Sequence, residues 1–251
     1  MSPRYFFHLY SHKIFFWLFI LTFGCQIFFW KANEKFHASF DVIPPAPNKY
    51  LISAMSLGDN EFLFRALSLR FQNSGDIFAG FVALKDYDYS RVYQWMKMLD
   101  TLNSESRSTP ALAAYYYSQT QNHEDSLRVV DYLDEHSSAN IDANWWWLFQ
   151  AIYLAKRVGD FDRALELAKK LAQNNAKDAP LWTKQMPAFI SEEMGEGCLA
   201  FQVISKLIAE SESGERQISA AEMNLMHHFI SERLQHLKTG KFDPRKCSKK
   251  L

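Results

Sequence analysis

The chain has little of the residues that dominate β-rich, disulfide-rich and zinc-binding proteins. Its 251 residues include only nine glycines, eight prolines and three cysteines, and no stretch alternates strictly between apolar and polar residues. The missing alternation argues against half-buried β-strands and favours helices. Three cysteines without a CxxC spacing exclude a disulfide framework and a multi-cysteine zinc site. Cys198 and Cys247 can pair in an oxidising compartment, but their positions do not require it.

An excess of charge of one sign is also missing. The chain carries 28 basic and 28 acidic residues, so its formal net charge is zero. Nucleic-acid binders usually carry a basic surplus or stripe. The only short basic cluster lies in the tail 240–251, and we interpret that tail as a solvated terminus. We therefore expect no nucleic-acid partner.

Motifs of the familiar catalytic and metal sites are missing too. The sequence contains no GxSxG, HExxH or GxxxxGK[ST] pattern, and no GxGxxG after a predicted strand. His228, Glu232 and His236 share one predicted helix face. The two histidines would lie about 12 Å apart along the helix axis, too far apart to bind one ion. We expect no catalytic residue, no metal and no cofactor, and hence a protein that is not an enzyme.

What the chain does have is one long apolar run near its N-terminus. Residues 14–30, IFFWLFILTFGCQIFFW, carry no formal charge and would form a helix about 25 Å long. Aromatic residues at both ends can extend this helix into the membrane interface. The run exceeds the apolar part of a signal peptide, and no small-residue cleavage site follows it. We predict a retained transmembrane helix, in which Gly24 and Gln26 are suited to packing against another helix.

This anchor defines the predicted organisation of the chain. The proline cluster Pro44–Pro47 would form a stiff spacer between the anchor and the domain. Basic residues stand on both sides of the apolar run, so they do not decide its orientation. Because short N-terminal anchors commonly leave the domain outside, we predict a single-pass protein of a bacterial inner membrane with its domain in the periplasm. The predicted parts are an N-terminal flank (1–13), the transmembrane helix (14–30), a Pro-rich linker (31–47), a helical repeat domain (48–239) and a basic tail (240–251).

Helix pairs recur at a regular interval within this domain. Small and apolar residues follow helical spacing on both sides of the turn Val158–Phe161. Similar turns lie at Tyr87, Asn122 and Gly195, at intervals of 35, 37 and 36 residues when Gly159 is included. A period near this length with two helices per unit is typical of a helical solenoid.

The segment 145–178 resembles a tetratricopeptide repeat, whose unit is about 34 residues. The turn Gly159-Asp160-Phe161 is followed by Ala164 and Ala168, the small residues of the second helix. Pro180 falls near the place where that family closes its repeat. The resemblance is fair for 180–209 and weak before Pro110. It implies an all-α, tetratricopeptide-like α-solenoid of four or five helix hairpins, and we expect a final helix over 218–239 to cover its open end.

Two aromatic triplets, Tyr115–Tyr117 and Trp145–Trp147, cannot be buried completely. Successive helical residues point about 100° apart, so a triplet spans about 200°, whereas the core stripe of a helix is only somewhat wider than 100°. At least one ring of each triplet should therefore lie outside the core.

The repeat register places aromatic residues at one position of three successive units. Counting back six residues from the turns gives Tyr116, Tyr153 and Phe189, and in the tetratricopeptide family this position faces the concave groove. The resemblance implies a groove formed by Tyr116, Gln119, Trp146, Phe149, Tyr153, Lys156, Trp182, Gln185, Phe189 and Glu192. Rings with scattered amide and charged groups suit an extended or helical peptide.

We therefore predict a non-enzymatic adaptor or scaffold that binds a protein partner and helps to assemble or stabilise a membrane complex. Three alternatives remain open from the sequence. The rings can simply pack between repeats, they can bind an apolar ligand such as a lipid or glycan, or the chain can be a structural subunit that docks through its membrane helix.

Overall fold

The protein is almost entirely α-helical in a computed structural model that describes residues 3–32, 42–77, 80–214 and 217–238. The chain divides into two compact units, Met1–Asp41 and Val42–Leu251. The described part of the first unit is one α-helix, and the described part of the second unit contains ten α-helices. The helices are α1 (Pro3–Ala32), α2 (Lys49–Ser56), α3 (Asn60–Gln72), α4 (Tyr89–Leu102), α5 (Ser108–Tyr115), α6 (His123–Ser138), α7 (Ile141–Arg157), α8 (Phe161–Leu171), α9 (Trp182–Glu193), α10 (Gly197–Glu212) and α11 (Ala220–Lys238).

Helix α1 contains a stretch, Lys13–Ala32, that is long and apolar enough to cross a membrane. Its 20 residues correspond to about 30 Å of helix, the thickness of the hydrocarbon core of a bilayer. The helix extends beyond the predicted span of 14–30 at both ends. Membrane anchors and signal sequences share these properties, so the finding is one apolar N-terminal helix of membrane-spanning length.

Side-chain caps explain where the helices of the second unit begin. Asp59, Asp88, Asn122 and Asp160 each accept a hydrogen bond from a backbone N–H in the first turn of the helix that follows, which satisfies donors that a helix leaves unpaired. At the turn before α8, Gly159 has a φ of 85°, a left-handed conformation that glycine adopts without steric cost. The turns predicted from the sequence therefore do separate consecutive helices.

Between α3 and α4 the chain forms a short antiparallel pair that the sequence did not predict. It consists of β1 (Asp76–Ile77) and β2 (Gly80–Phe81), followed by a 3-10 turn over Leu84–Asp86. Gly75 precedes the pair, and a Cβ atom added there would overlap the hydroxyl of Tyr87. Because Tyr87 is buried, this close approach of backbone and ring favours glycine.

From α6 onward each helix packs against the next in chain order, through to α11. One apolar core extends from α3 to Ile190 of α9, and a smaller one lies among α9, α10 and α11. Ala151, Ala155, Ala164 and Ala168 are fully buried; such small side chains permit the close approach of α7 and α8 that the sequence predicts.

A polar contact joins two helices that are not consecutive. Asp134 of α6 accepts hydrogen bonds from Arg163, at 2.9 Å, and from Lys170, both on α8. Asp134 is buried, and a buried carboxylate is tolerated when it is paired and hydrogen-bonded. The pair therefore fixes α8 against α6 across the intervening helix α7.

The end of the predicted linker belongs to the helical domain. Ile43 is only 2% exposed and joins the main core. The guanidinium of Arg91 donates to the carbonyl oxygen of Ile43 at 3.0 Å, and the indole N–H of Trp95 donates to that of Pro44 at 2.7 Å. Residues 42–47 therefore dock on α4, whereas residues 33–41 and the tail 240–251 lie outside the described ranges.

This docking can be tested with Ile43→Ala. We expect the free energy of unfolding to fall by about 2–4 kcal/mol, because the change removes a buried side chain and leaves a cavity. Thermal unfolding of the full chain in detergent, followed by circular dichroism, measures the loss. The matched control is Pro45→Ala at an exposed neighbouring position, which should change stability far less. Equal Tm values for the two variants would contradict the docking.

Candidate partner-binding surface

Each aromatic triplet divides between core and surface, as the sequence predicts. Trp147 is buried, whereas Trp146 is 39% exposed. Tyr117 is fully buried, whereas Tyr115 and Tyr116 are exposed. The exposed rings are the first candidates for contact with a partner, because aromatic side chains dominate the energetics of interfaces.

Four rings form a continuous line across three helices, which we call the aromatic row: Tyr115, Trp146, Phe149 and Trp182. The indole N–H of Trp146 donates to the hydroxyl of Tyr115 at 2.8 Å, which links α7 to α5. The ring centroids of Trp146 and Phe149 lie 5.5 Å apart, and those of Phe149 and Trp182 lie 4.7 Å apart, which links α7 to α9. These distances are within the range of favourable aromatic pairs.

An irregularity in α7 lies next to the row. Asn144 has φ −115° and ψ 17°, outside the helical region, so the helix is kinked immediately before its three tryptophans. Trp145 packs at 5.9 Å against Trp182 in an edge-to-face arrangement. Trp145, on α7, thus contacts the row through Trp182, on α9.

The predicted groove residues differ in their exposure. Gln185 is 3% exposed, and with Phe189 it lines a cavity of about 120 Å³ beside α10 and α11. These two side chains are therefore turned towards neighbouring helices and contribute less to the open surface. The exposed members are Tyr116, Gln119, Trp146 and Tyr153, and the half-buried members are Phe149, Lys156, Trp182, Phe189 and Glu192.

The sequence register missed Tyr115 and Trp145, and the backbone explains the omission of Tyr115. Helix α5 ends at Tyr115, and a 3-10 turn over Tyr117–Gln119 follows it. Counting back six residues from Asn122 assumes an unbroken helix, so it selected Tyr116 instead of Tyr115. The triplet itself could have indicated Tyr115, because any of its three rings could have been the exposed one.

Two cations of α7 are paired with other groups of the domain. Lys156 forms an ion pair with Glu193 at 2.5 Å, and Arg157 donates to the carbonyl oxygen of Ser118. Both charges therefore have partners within the domain, and the four residues of the row carry no formal charge. Such a surface suits apolar anchor residues better than an acidic ligand.

A second candidate site is a polar cavity of about 660 Å³ lined by residues 97–107 and 135–144. In its wall Asp100 accepts from the imidazole Nδ1 of His136 at 2.8 Å and from the hydroxyl of Tyr132 at 3.0 Å. Glu135 accepts from Lys97 and Tyr93. The carboxylates are thus occupied by helix-to-helix contacts, which assigns these residues a structural role.

The pKa of Glu135 is lowered, chiefly by the hydrogen bond from Lys97 and then by that from Tyr93. A carboxyl whose pKa is lower in the folded state stabilises the protein above its unfolded pKa, and this contribution is lost as the pH falls through the folded pKa. We therefore expect Glu135→Gln to lower Tm at pH 7. The difference in Tm between this variant and the unsubstituted chain should become smaller below about pH 4.

Thermal unfolding at both pH values measures this effect. Glu105→Gln, an exposed residue lining the same cavity, is the matched control and should change Tm less at pH 7. A gap for Glu135→Gln that stays constant with pH would contradict the assigned ion pair.

The residues proposed for packing within the membrane lie on the open surface of α1. Gly24 and Gln26 are both exposed, and a Cβ atom added at Gly24 would have no neighbour within 4 Å. This part of the helix is therefore accessible to lipid or to another helix. Among the described residues no group of three His, Cys, Asp or Glu side chains is placed to hold a metal ion.

Comparison with protein-family models, with curated proteins and with solved structures finds no match to the chain. The functional argument therefore depends on the geometry of its own residues. The aromatic row and the apolar helix α1 are the two features that carry it.

Proposed function

We propose that the protein is a membrane-anchored adaptor whose helical domain binds a protein partner through the aromatic row. The observation that carries this proposal is the line of rings across α5, α7 and α9, in which Trp146 stays 39% exposed although its N–H is hydrogen-bonded to Tyr115. Such a ring is already fixed in position, so a partner loses little additional conformational entropy on binding it. We assign helix α1 the role of a retained anchor.

We further propose that the domain is a tetratricopeptide-like α-solenoid. Three helix pairs support this assignment: α5 with α6, α7 with α8, and α9 with α10. The row lies on the first helix of each pair, which in the tetratricopeptide family lines the concave groove. The final helix α11 packs on α10, as expected for an element that covers the open end of a repeat array.

The proposed partner is an extended or helical peptide with apolar anchor residues. Phe149 and Trp182 are half-buried and pack against each other, whereas Trp146 and Tyr153 are exposed. Aromatic surfaces of this kind bind amphipathic helices or extended segments through a few anchors. Helping to assemble or stabilise a membrane complex is the role that fits such a surface beside an anchor.

Replacing Trp146 of the row together with Tyr153, an exposed ring of the predicted groove on the same helix, tests the proposal. We expect Trp146→Ala combined with Tyr153→Ala to weaken partner capture by about tenfold or more, because one buried hot-spot ring typically contributes about 2 kcal/mol. The measurement is affinity capture of the detergent-solubilised full chain, quantified by mass spectrometry, with circular dichroism to verify the fold.

The matched control replaces two exposed apolar side chains outside the row, Leu69→Ala and Leu225→Ala. This control should retain the partners that the row variant loses. Equal capture by the row variant and the unsubstituted chain would refute the proposed groove.

We propose that the domain faces the periplasm of a bacterial inner membrane. Cys198 is disulfide-bonded, whereas Cys25 within α1 is a free thiol; Cys247 lies outside the described residues. Disulfides persist in oxidising compartments and are rare in the cytosol. The bonded state of Cys198 therefore supports the predicted orientation.

Thiol labelling of membranes prepared without reductant tests this orientation. We expect the peptide containing Cys198 to react with a maleimide only after reduction, because its sulfur is blocked until then. A Cys198→Ser variant identifies the labelled peptide. Labelling of Cys198 before reduction would contradict a domain on the oxidising side.

A further inference from the structure

The short helix α2 packs Ile52 against the core but leaves its other apolar side chains exposed. Tyr50, Leu51 and Met55 are exposed, with Tyr50 at 86%, whereas Ser56 is buried. At about 100° per residue, positions 50, 51 and 55 fall on one side of the helix. A helix that only needed to pack on the domain would show the opposite arrangement.

The residue that ends α2 adds a second anomaly. Leu57 is 92% exposed and has a φ of 46°, in the left-handed region. Glycine or asparagine adopts this conformation far more readily than leucine. Because the side chain of Leu57 is exposed, burial within the domain does not offset the strain of its backbone. A strained residue that the fold does not need is a reason to consider a functional role.

A neighbouring ring extends this surface onto α3. Phe62, in the first turn of α3, is 70% exposed. We name Tyr50, Leu51, Met55, Leu57 and Phe62 together the α2–α3 patch. It lies around a turn between two helices, so its apolar side chains project from the surface.

The covalent link to α1 limits what can cover the patch. Only residues 33–41 connect Ala32, the end of α1, to Val42 of the domain. The ten steps from Ala32 to Val42 span at most about 36 Å in any conformation. Residues 42–47 are docked on α4 through Ile43, and α2 begins at Lys49. The patch therefore begins close to the point where the tether enters the domain.

We propose that the α2–α3 patch contacts the lipid bilayer in which α1 is anchored. This inference rests on the anchorage proposed above and adds a second contact with the same membrane. Tyrosine and other amphipathic rings are favoured at the headgroup level, and leucine and phenylalanine insert just below it.

A projecting apolar tip fits a bilayer better than a protein partner. Anchor residues at protein interfaces usually fill pockets on the other molecule, and the aromatic row already offers the more enclosed surface for a peptide. The short tether limits how far the patch can move from the bilayer in which α1 is proposed to be anchored. The two contacts together would limit rotation of the domain about its tether.

Fluorescence of the full chain in liposomes of phosphatidylethanolamine and phosphatidylglycerol tests the proposal. An environment-sensitive fluorescent amino acid replaces Leu57 in one variant and Leu225 in another. Leu225 is the matched control, an exposed leucine on α11. We expect the label at position 57 to show blue-shifted emission and to be quenched by nitroxides on lipid headgroups, and the label at 225 to show neither.

The outcomes separate this proposal from the anchorage on which it rests. An unquenched label at position 57 in a chain that resists carbonate extraction would overturn bilayer contact and leave the anchor intact. Release of the chain by carbonate would overturn both. A blue shift that appears only when a captured protein is added would assign the patch to a protein contact and would also overturn bilayer contact.

A stability measurement excludes a merely structural role for Leu57. Leu57→Asn should leave Tm unchanged or raise it, because asparagine adopts the left-handed conformation at less cost. With the fluorescent amino acid at Phe62, Leu57→Asn together with Tyr50→Ser should reduce lipid quenching. A fall in Tm for Leu57→Asn would show that Leu57 supports the fold and would overturn the proposal.

Discussion

The buried ring of Tyr117 fixes the place where the first helices of the domain meet. Its centroid lies 4.9 Å from that of Phe71, and its hydroxyl donates to the carbonyl oxygen of Phe71 at 3.1 Å. Its own carbonyl oxygen accepts from the hydroxyl of Tyr89 at 2.8 Å. Burial raises the pKa of Tyr117 above its ordinary value. Because Tyr117 begins the 3-10 turn after α5, its burial fixes the end of that helix and leaves Tyr115 and Tyr116 outside.

The aromatic row depends on such interruptions of the helices. Tyr115 is the last residue of α5, Trp146 follows the kink at Asn144, and Trp182 is the first residue of α9. A residue at a helix end is not restricted to the direction that helical periodicity assigns to it. The row can therefore cross three helices at neighbouring points while their middle turns remain packed in the core.

This dependence explains how much of the structure could be predicted from the sequence. The turns before α4, α6 and α8 were predictable because Asp88, Asn122 and Asp160 act on their own first turns. The docking of Ile43 on α4 and the burial of Gln185 depend on partners distant in sequence, which no local pattern specifies. The groove prediction selected Trp146, Phe149 and Trp182 through helical register, and it missed Tyr115 where the helix ends.

The surface that remains carries more apolar area than the fold requires. Helix α1, the α2–α3 patch and the aromatic row all expose large apolar side chains. Of the row, Phe149 and Trp182 also pack against the main core, whereas the fully buried residues of that core are others. Contiguous exposed apolar surface is a cost for an isolated soluble domain and is typical of a site that another molecule or a membrane covers. The α2–α3 patch follows the tether directly and the row lies further along the chain. This order supports a division of roles in which the N-terminal surfaces meet lipid and the row remains available to a partner.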